Sequence, residues 1–169
     1  MLAWGLSRTR LSMGQHTEKM VKVWKISREL QDELAYISHQ NAAKAYEQGF
    51  YDELVFEFNG LKRDKLVRFD SSLEKLAALP PAFDASGNGT LTAGNSSPLT
   101  DGSSAVYLVC EETAKKYQHP LLARFLDAEV AAVDFVHGQG LLMAPTLAVS
   151  ELLKRNKLTL QDFNFYEIH

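Results

Sequence analysis

The chain is short of cysteine, of long apolar runs and of surplus charge. Its 169 residues include one cysteine, so no disulfide can form within the chain, and secreted domains usually contain paired cysteines. The apolar runs are too short for a membrane-spanning helix. A formal net charge of −3 gives no reason to expect nucleic acid or an anionic membrane as a partner. What is left is a protein of a reducing compartment, long enough for one domain or two small ones.

One stretch, from Asn88 to Val106, is made almost entirely of small residues. It reads NGTLTAGNSSPLTDGSSAV and holds a single charged residue, Asp101. Such a composition is typical of a slack surface linker or of a loop whose backbone lies close to a ligand. Neither a G-x-G-x-x-G sequence opening a helix nor a Walker loop is present. Residue types alone leave both interpretations open.

Helical and strand patterns alternate along the chain, which predicts an α/β fold. Capping residues and helical apolar spacing predict helices over 17–24, 27–48, 71–76, 111–117 and 145–156. Alternating or continuous apolar residues predict strands over 54–58, 105–109, the start of 121–133 and 163–168. The strand over 105–109 is expected to be buried on both faces. The basic segment 59–68 is expected to form a solvated surface loop.

Individual residues define the predicted helix ends. Thr17 is expected to cap the first helix and Ser27 the second, while Gly49 ends the second and Pro145 lies in the first turn of the last. Ser71 and Glu74 have the spacing of a capping box. The apolar stripe of the second helix is expected to comprise Leu30, Leu34, Ile37, Ala42 and Ala45.

Reactive side chains form no recognised site in the sequence. None of the histidines, at positions 16, 39, 119, 137 and 169, has zinc-ligand spacing to another histidine, a cysteine or a carboxylate. We expect His16 and His39 to lie at the surface. Cys110 follows an apolar run and precedes two glutamates, whose charges raise the pKa of a thiol. A buried, inert thiol is therefore favoured over a nucleophile.

The stretch of small residues also carries a resemblance to the thiolase family. Thiolases contain a segment of the form G-T-x-T-A-G/A-N-S/A-S-x-L/I-x-D-G before a buried strand, and this chain has GTLTAGNSSPLTDGSSAVYLV over 89–109. Residues 11–49 resemble the thiolase loop domain, with its M-G, S-R-x-x-Q-D and S-H/Q-x-x-A elements. LEKLAALPPAFD, over 73–84, resembles the K-L-x-P-A-F-D turn. Residues 140–169 resemble the start of the second core domain.

The resemblance implies a layered αβαβα fold of which this chain is an internal part. It implies the later part of the loop domain over 1–88, the end of the first core domain over 89–140 and the start of the second over 141–169. The segments LSMGQHTE, LLMAPT and the final EIH are most similar to the β-subunit of the fatty-acid oxidation (trifunctional) complex. Relative to the family, extra residues enlarge the turn from Asp84 to Asn88.

The activity that the resemblance implies is that of a 3-ketoacyl-CoA thiolase. A nucleophilic cysteine takes the acyl group as a thioester, a histidine activates it, and a second cysteine exchanges a proton with the enolate. Coenzyme A is the substrate, with no permanently bound cofactor and no metal. The parent enzyme is expected to be a homodimer or tetramer, with a hydratase/dehydrogenase α-subunit as a further candidate partner. The expected location is the cytoplasm, or the mitochondrion in a eukaryote.

Only a few residues of the family's site have counterparts here. Met13 matches the methionine of the acyl pocket, and His169 matches a residue of an oxyanion hole. Arg68 aligns with a basic residue near the adenine of coenzyme A. The pantetheine tunnel is expected to be lined by Ala82, Phe83, Ala93, Ser97 and Leu99, with Ser97 able to hydrogen-bond a pantetheine amide.

The family's C-x-S, G-H-P and C-x-G motifs have no counterpart in the sequence. Gln118, His119 and Pro120 imitate G-H-P but lack its glycine and precede the EIH segment, and Cys110 matches neither family cysteine. We therefore expect the isolated chain to be inactive. Two alternatives stay open, namely a part of a biosynthetic acetoacetyl-CoA thiolase and a non-catalytic CoA-binding or assembly module.

Overall fold

The computed structural model describes residues 8–117, 122–138 and 140–168. The regular structure of these residues consists of helices, turns and isolated bridges. These residues contain no strand ladder, only the bridges Phe58–Leu61 and Pro81–Thr92. The chain divides into two units, Met1–Pro98 and Leu99–His169. Within the described ranges, no helix has both the length and the apolar character needed to cross a membrane.

The first helix of the first unit, α1, spans Met13–Val23. The predicted cap at Thr17 is wrong. Ser12 Oγ accepts a hydrogen bond from the Gln15 N–H at 3.3 Å, and Gln15 Oε1 accepts one from the Ser12 N–H at 2.8 Å. This reciprocal capping box satisfies two backbone donors at once, so the helix begins before Thr17. The prediction for His16 is also wrong, since it is 4% exposed and its Nε2 lies 2.8 Å from Thr9 Oγ1.

The second helix, α2, spans Arg28–Glu47. Its predicted ends are confirmed, because Ser27 Oγ accepts from the Leu30 N–H at 3.3 Å and Gly49 has the positive φ of a C′ residue, 73°. The predicted apolar stripe does not face the interior, and Leu34 is 70% exposed. The buried residues of α2 are Asp32 and Ala43. Its inner face therefore depends on a charged side chain that finds partners in other segments.

The third helix, α3, spans Leu73–Ala77. Its cap is Ser72, whose Oγ accepts from the Lys75 N–H at 3.3 Å, so the predicted capping box from Ser71 is wrong by one position. The predicted strand over 54–58 is also wrong. Phe58 and Leu61 exchange backbone hydrogen bonds of 3.0 and 2.9 Å across Asn59-Gly60, which forms a tight turn with positive φ at both residues. The basic residues that follow are exposed, as predicted.

The second unit contains α4 over Glu111–Tyr117, α5 over Ala144–Asn156 and a 3-10 turn over Leu160–Asp162. Both predicted helices are confirmed, including the proline in the first turn of α5. The strands predicted over 105–109, the described part of 121–133 and 163–168 are wrong. Tyr107 is 88% exposed rather than buried. A strand needs a neighbour for its backbone groups, and the described residues place none beside these segments.

A cluster of charged side chains joins α5 to residues 127–129 within the second unit. Arg155 donates from Nη2 to Asp127 Oδ2 at 2.9 Å and also contacts Glu129. Asn156 Nδ2 donates to the same Asp127 oxygen. We call this cluster of Asp127, Glu129, Arg155 and Asn156 the α5 clamp; its acidic members remain partly exposed.

Candidate functional site

The turn containing Ala82 lies beside the stretch of small residues. Pro81 and Thr92 form an antiparallel bridge, and the Ala82 N–H donates to the Leu91 carbonyl at 2.8 Å. These contacts bring together two segments that the sequence assigned to one pantetheine tunnel. Ala82 itself and Ala93 are exposed. Both side chains are therefore accessible at the surface of the first unit.

Phe83 connects this pair of segments to the start of α1. A Cβ placed on Gly14 would lie 2.2 Å from Phe83 Cδ1, so the aromatic ring occupies the space that any side chain at position 14 would need. Met13, the residue predicted for the acyl pocket, is adjacent to this contact and half exposed. Met13, Ala82, Phe83 and Ala93 thus lie on three segments that contact one another, and we call these four residues the track.

An ion pair fixes the residue that follows Phe83. Lys22 Nζ of α1 contacts Asp84 Oδ2. The hydrogen bond from Lys22, followed by those from Ser86, holds the pKa of the Asp84 carboxyl well below its usual range. Asp84 is therefore ionised at neutral pH, and the pair holds the end of the turn against α1.

Of the other predicted site residues, Ser97 and Arg68 belong to the first unit and Leu99 to the second. Ser97 is exposed, and its hydroxyl has only a long contact, 3.5 Å, to the Pro98 carbonyl. Leu99 begins the second unit and is 99% exposed. Arg68 is exposed, and its backbone N–H donates to His39 Nδ1 on α2 at 3.3 Å. His169 lies outside the described residues, as do Gln118, His119 and Pro120.

A buried carboxylate from α1 supports the track from beneath. Glu18 is 3% exposed. Its Oε1 accepts hydrogen bonds from the Thr90 N–H at 2.9 Å and the Leu91 N–H at 2.7 Å, while Oε2 lies 3.4 Å from the Thr90 hydroxyl. Buried charges are stable only when such partners replace water, and hydrogen bonds to charged acceptors are stronger than neutral ones.

A second buried carboxylate, from α2, holds the other end of the same segment. Asp32 Oδ1 accepts from Asn95 Nδ2 at 2.9 Å. Asn95 also donates to the Thr90 carbonyl at 3.1 Å and accepts from the Thr92 N–H at 2.7 Å. Thr92 is fully buried and its Oγ1 accepts from the Gly94 N–H at 3.1 Å. The backbone from Thr90 to Asn95 therefore has a single conformation fixed from two helices.

The S-R-x-x-Q-D element of α2 explains how that helix reaches its neighbours. Arg28 Nε donates to Asp32 at 2.7 Å, and its Nη2 donates to the Leu76 carbonyl at 2.7 Å at the end of α3. Gln31 Nε2 donates to Thr90 Oγ1 at 3.0 Å. Arg28 thus satisfies a terminal carbonyl of α3, one of the backbone acceptors that every helix leaves unpaired.

Sequence reasoning missed the roles of Glu18, Asp32 and Asn95. The sequence contained a signal for two of them, because Asp32 and Asn95 belong to segments that resemble thiolase motifs. A motif gives residue types without partners, whereas Glu18 and Thr90 are 72 positions apart in the chain. The structure shows that the two motifs bind each other.

A basic groove of about 490 Å³ lies in the first unit, lined by residues 60–65 and 67–69. Four of these are cationic: Lys62, Arg63, Lys65 and Arg68. The Arg63 guanidinium lies 4.2 Å from the centroid of the Phe69 ring. Such an arrangement favours anions, because several cations share one concave surface.

Cys110 does not match its predicted environment. The thiol is exposed, not buried, and its Sγ lies 3.2 Å from Thr113 Oγ1. The hydrogen bond with the Thr113 side chain, followed by that with its backbone, lowers the pKa of the thiol, so the predicted rise caused by the glutamates is also wrong. In the described residues no histidine is bonded to it, so the arrangement is not that of an activated nucleophile.

Comparison with known proteins gives consistent results. The family profile described as "Thiolase, N-terminal domain" matches residues 4–112. The chain is 41% identical over 167 residues to a 3-ketoacyl-CoA thiolase of Alteromonas mediterranea, and the alignment covers 95% of this chain and 38% of that protein.

Solved structures agree with the sequence matches. Human mitochondrial 3-ketoacyl-CoA thiolase in complex with CoA gives a TM-score of 0.83 at 31% identity, over 95% of this chain and 40% of the human chain. The dimeric peroxisomal thiolase of Saccharomyces cerevisiae gives a TM-score of 0.75 at 29% identity, over 92% and 40%. The chain therefore spans about two-fifths of the length of these proteins.

Proposed function

From the premise that this chain belongs to the thiolase family, we propose that it supplies the coenzyme A track of a 3-ketoacyl-CoA thiolase. In that reaction the nucleophilic cysteine attacks the 3-keto carbon and forms a thioester with it, the bond between carbons 2 and 3 breaks, and acetyl-CoA leaves as its enolate, which is protonated. The thiol of a second coenzyme A then takes the acyl group from the cysteine. The chain contributes the surface along which the pantetheine arm lies.

The observation that carries this proposal is the track itself. The Ala82–Leu91 hydrogen bond of 2.8 Å and the close approach of Phe83 to Gly14 join two neighbouring segments to the start of α1, which is distant from them in sequence. The small side chains of Ala82 and Ala93 leave the backbone accessible, which a narrow pantetheine tunnel requires. Ser97 lies further along the same stretch, with an exposed hydroxyl that can bind an amide.

The basic groove supports the same assignment for the nucleotide end of coenzyme A. Arg68 was expected near the adenine, and the groove adds Lys62, Arg63 and Lys65. Phosphate groups and an adenine ring suit a surface that combines several cations with an aromatic side chain. We assign the groove to the phosphates and the track to the pantetheine arm.

The proposal assigns no chemical step to this chain alone. Its single cysteine, Cys110, matches neither thiolase cysteine, and thiolysis uses two. We propose that the parent enzyme acts in fatty-acid β-oxidation, as a homodimer or tetramer associated with a hydratase/dehydrogenase α-subunit. We place it in the cytoplasm, or in the mitochondrion of a eukaryote. His169 would contribute to an oxyanion hole of that enzyme, and no permanently bound cofactor is needed.

Binding of coenzyme A to the purified chain tests the proposal. Isothermal titration should show binding that Ser97→Trp weakens by at least about tenfold, because an indole would fill the space beside the pantetheine arm. Ser38→Trp, on the exposed face of α2, is the matched control and should bind as the unaltered chain does. Equal affinity in both variants would contradict the track.

An activity assay separates an enzyme from a binding module. The chain alone should not cleave a 3-ketoacyl-CoA in the presence of coenzyme A, since both catalytic cysteines are lacking. Turnover by the purified chain would contradict this assignment. Binding of coenzyme A without any gain of activity on adding the rest of a thiolase would favour the binding-module alternative.

A further inference from the structure

We propose that Glu18 is the positioning residue of the track, and that it acts through the geometry of its hydrogen bonds rather than through its charge. This inference rests on the proposed function, because the track is taken to hold coenzyme A. Glu18 itself does not line the track; it lies beneath it, 3% exposed.

The short hydrogen bonds of Glu18 are made with backbone amides. Glu18 Oε1 accepts from two consecutive N–H groups, those of Thr90 and Leu91, at 2.9 and 2.7 Å. Both donors precede the exposed Ala93 by a few residues, and the Leu91 carbonyl accepts from Ala82. One oxygen atom therefore fixes the two peptide planes that immediately precede the Leu91 carbonyl, the acceptor for Ala82. Buried amide groups without a partner are costly, so loss of this oxygen releases the segment.

The second oxygen links Glu18 to α2. Oε2 lies 3.4 Å from the Thr90 hydroxyl, and that hydroxyl accepts from Gln31 Nε2 at 3.0 Å. Thr90 therefore connects a side chain of each helix. A glutamine at position 18 could keep Oε1 in place for both backbone donors and direct its NH₂ group to the Thr90 oxygen. Aspartate would keep the charge but would be one methylene too short to reach.

This geometry predicts an order among variants that a charge effect would not give. Glu18→Gln should loosen the segment least, because it keeps the geometry and loses only the charge, Glu18→Asp should loosen it more, and Glu18→Ala should loosen it most. Hydrogen exchange of the Thr90 and Leu91 amides should accelerate about tenfold or more in the alanine variant. If the role were electrostatic, glutamine and alanine would have the same effect and aspartate would have none.

The experiment combines hydrogen exchange with titration of free coenzyme A, on the full 169-residue chain and its variants. Glu33→Ala, an exposed acid on α2, is the control and should change neither readout. The dissociation constant for coenzyme A should rise in the order glutamine, aspartate, alanine, in parallel with exchange at residues 90 and 91. Should the alanine variant fail to fold, the glutamine and aspartate variants decide the order.

The two readouts distinguish the inference from the proposed function. If the unaltered chain does not bind coenzyme A, the proposed function fails, while amide exchange still decides whether Glu18 positions the segment. If exchange at Thr90 and Leu91 is unchanged in Glu18→Asp, the positioning role is overturned even when coenzyme A binds.

Discussion

The two units of the chain differ in how their charged groups are placed, whereas both expose large apolar side chains. In the first unit, buried Glu18 and Asp32 are paired with backbone and side-chain donors from a distant segment. In the second unit, the polar cluster of the α5 clamp is exposed, and apolar residues such as Tyr107 and Leu122 also face solvent. Ala114 is the only buried hydrophobic residue of this unit in the described ranges.

The difference shows which unit finds partners for its polar and backbone groups among the described residues. The first unit satisfies its buried backbone groups by side chains of α1 and α2, so its conformation is fixed locally. The second unit has helices with good local signals and extended segments without a neighbouring strand. Perturbations of the first unit should therefore have larger effects than perturbations of the second.

Amide exchange should show the largest contrast. Backbone amides at 103–109 should exchange at nearly unfolded rates, because they have no described partner and the side chains are exposed. Those of Thr90, Leu91 and Thr92 should be slowed by orders of magnitude, since each donates to a buried or partly buried acceptor. Exchange measured by mass spectrometry or NMR that protects both segments equally would contradict the comparison.

Removing the carboxylate of Asp32 should be the most damaging substitution. Asp32→Ala removes one acceptor of the Asn95 amide and the carboxylate partner of the partly buried Arg28 guanidinium. We expect a loss of about 3 kcal/mol in the free energy of unfolding, measured by urea denaturation. Glu33→Ala on the same helix is the control. A loss equal to that of the control would show that the first unit does not depend on this contact.

Filling the space at Gly14 should have an intermediate effect. The Cβ of Gly14→Ala would lie 2.2–2.4 Å from three carbons of the Phe83 ring, so the ring must move. Overpacking of this kind costs about 1–3 kcal/mol. Gly102→Ala, in the second unit, meets nothing within 4 Å and should have little effect. Urea denaturation compares the two variants, and similar losses would remove the contrast between the units.

The α5 clamp should respond least in stability but clearly in titration. The Arg155 hydrogen bond is the main cause of the lowered pKa of Glu129, whereas the Asn156 hydrogen bond is the main cause for Asp127. Arg155→Ala should therefore raise the pKa of Glu129 toward its ordinary value, and Asn156→Ala should raise chiefly that of Asp127. NMR titration of the two carboxyls measures this. A Glu129 titration that Arg155→Ala leaves unchanged would contradict the clamp.

The pH dependence of the clamp follows from the same shifts. A carboxyl whose pKa is lower in the folded chain stabilises it above the ordinary carboxyl pKa. That contribution is lost as pH falls through the lowered value. Contacts between α5 and residues 127–129 should thus be intact at neutral pH and open in acid.

Local signals in the sequence predicted helices well and strands badly. The ends of α2 and α5 depend on residues such as Ser27, Gly49 and Pro145, which act within one helical turn. The cap of α1 was misplaced because Ser12 with Gln15 competes successfully with Thr17. The strand predicted over 105–109 was wrong. Its apolar pattern suits a strand that pairs with a neighbouring strand, and the described residues contain no such neighbour.

The structure joins segments that carry predicted site residues through contacts that the sequence did not predict. The resemblance named Ala82, Phe83 and Ala93, and the structure brings their segments together. It gave no role to Glu18 or Asp32, because their partners lie 72 and 63 positions away. A linear pattern records which residue occurs, whereas the pairing of two buried carboxylates with one loop is a property of the folded chain.

The contact of Glu18 with backbone has an evolutionary consequence. Because the carboxylate binds the N–H groups of Thr90 and Leu91, the contact itself does not depend on the side chain at position 91, where burial rather than Glu18 constrains the residue. An insertion or deletion inside the segment would shift both donors out of reach. The extra residues of the turn from Asp84 to Asn88 lie outside it, where residues 85–88 are exposed. Evolutionary change in this region should therefore appear as differences in loop length before Gly89 and as amino-acid substitutions after it.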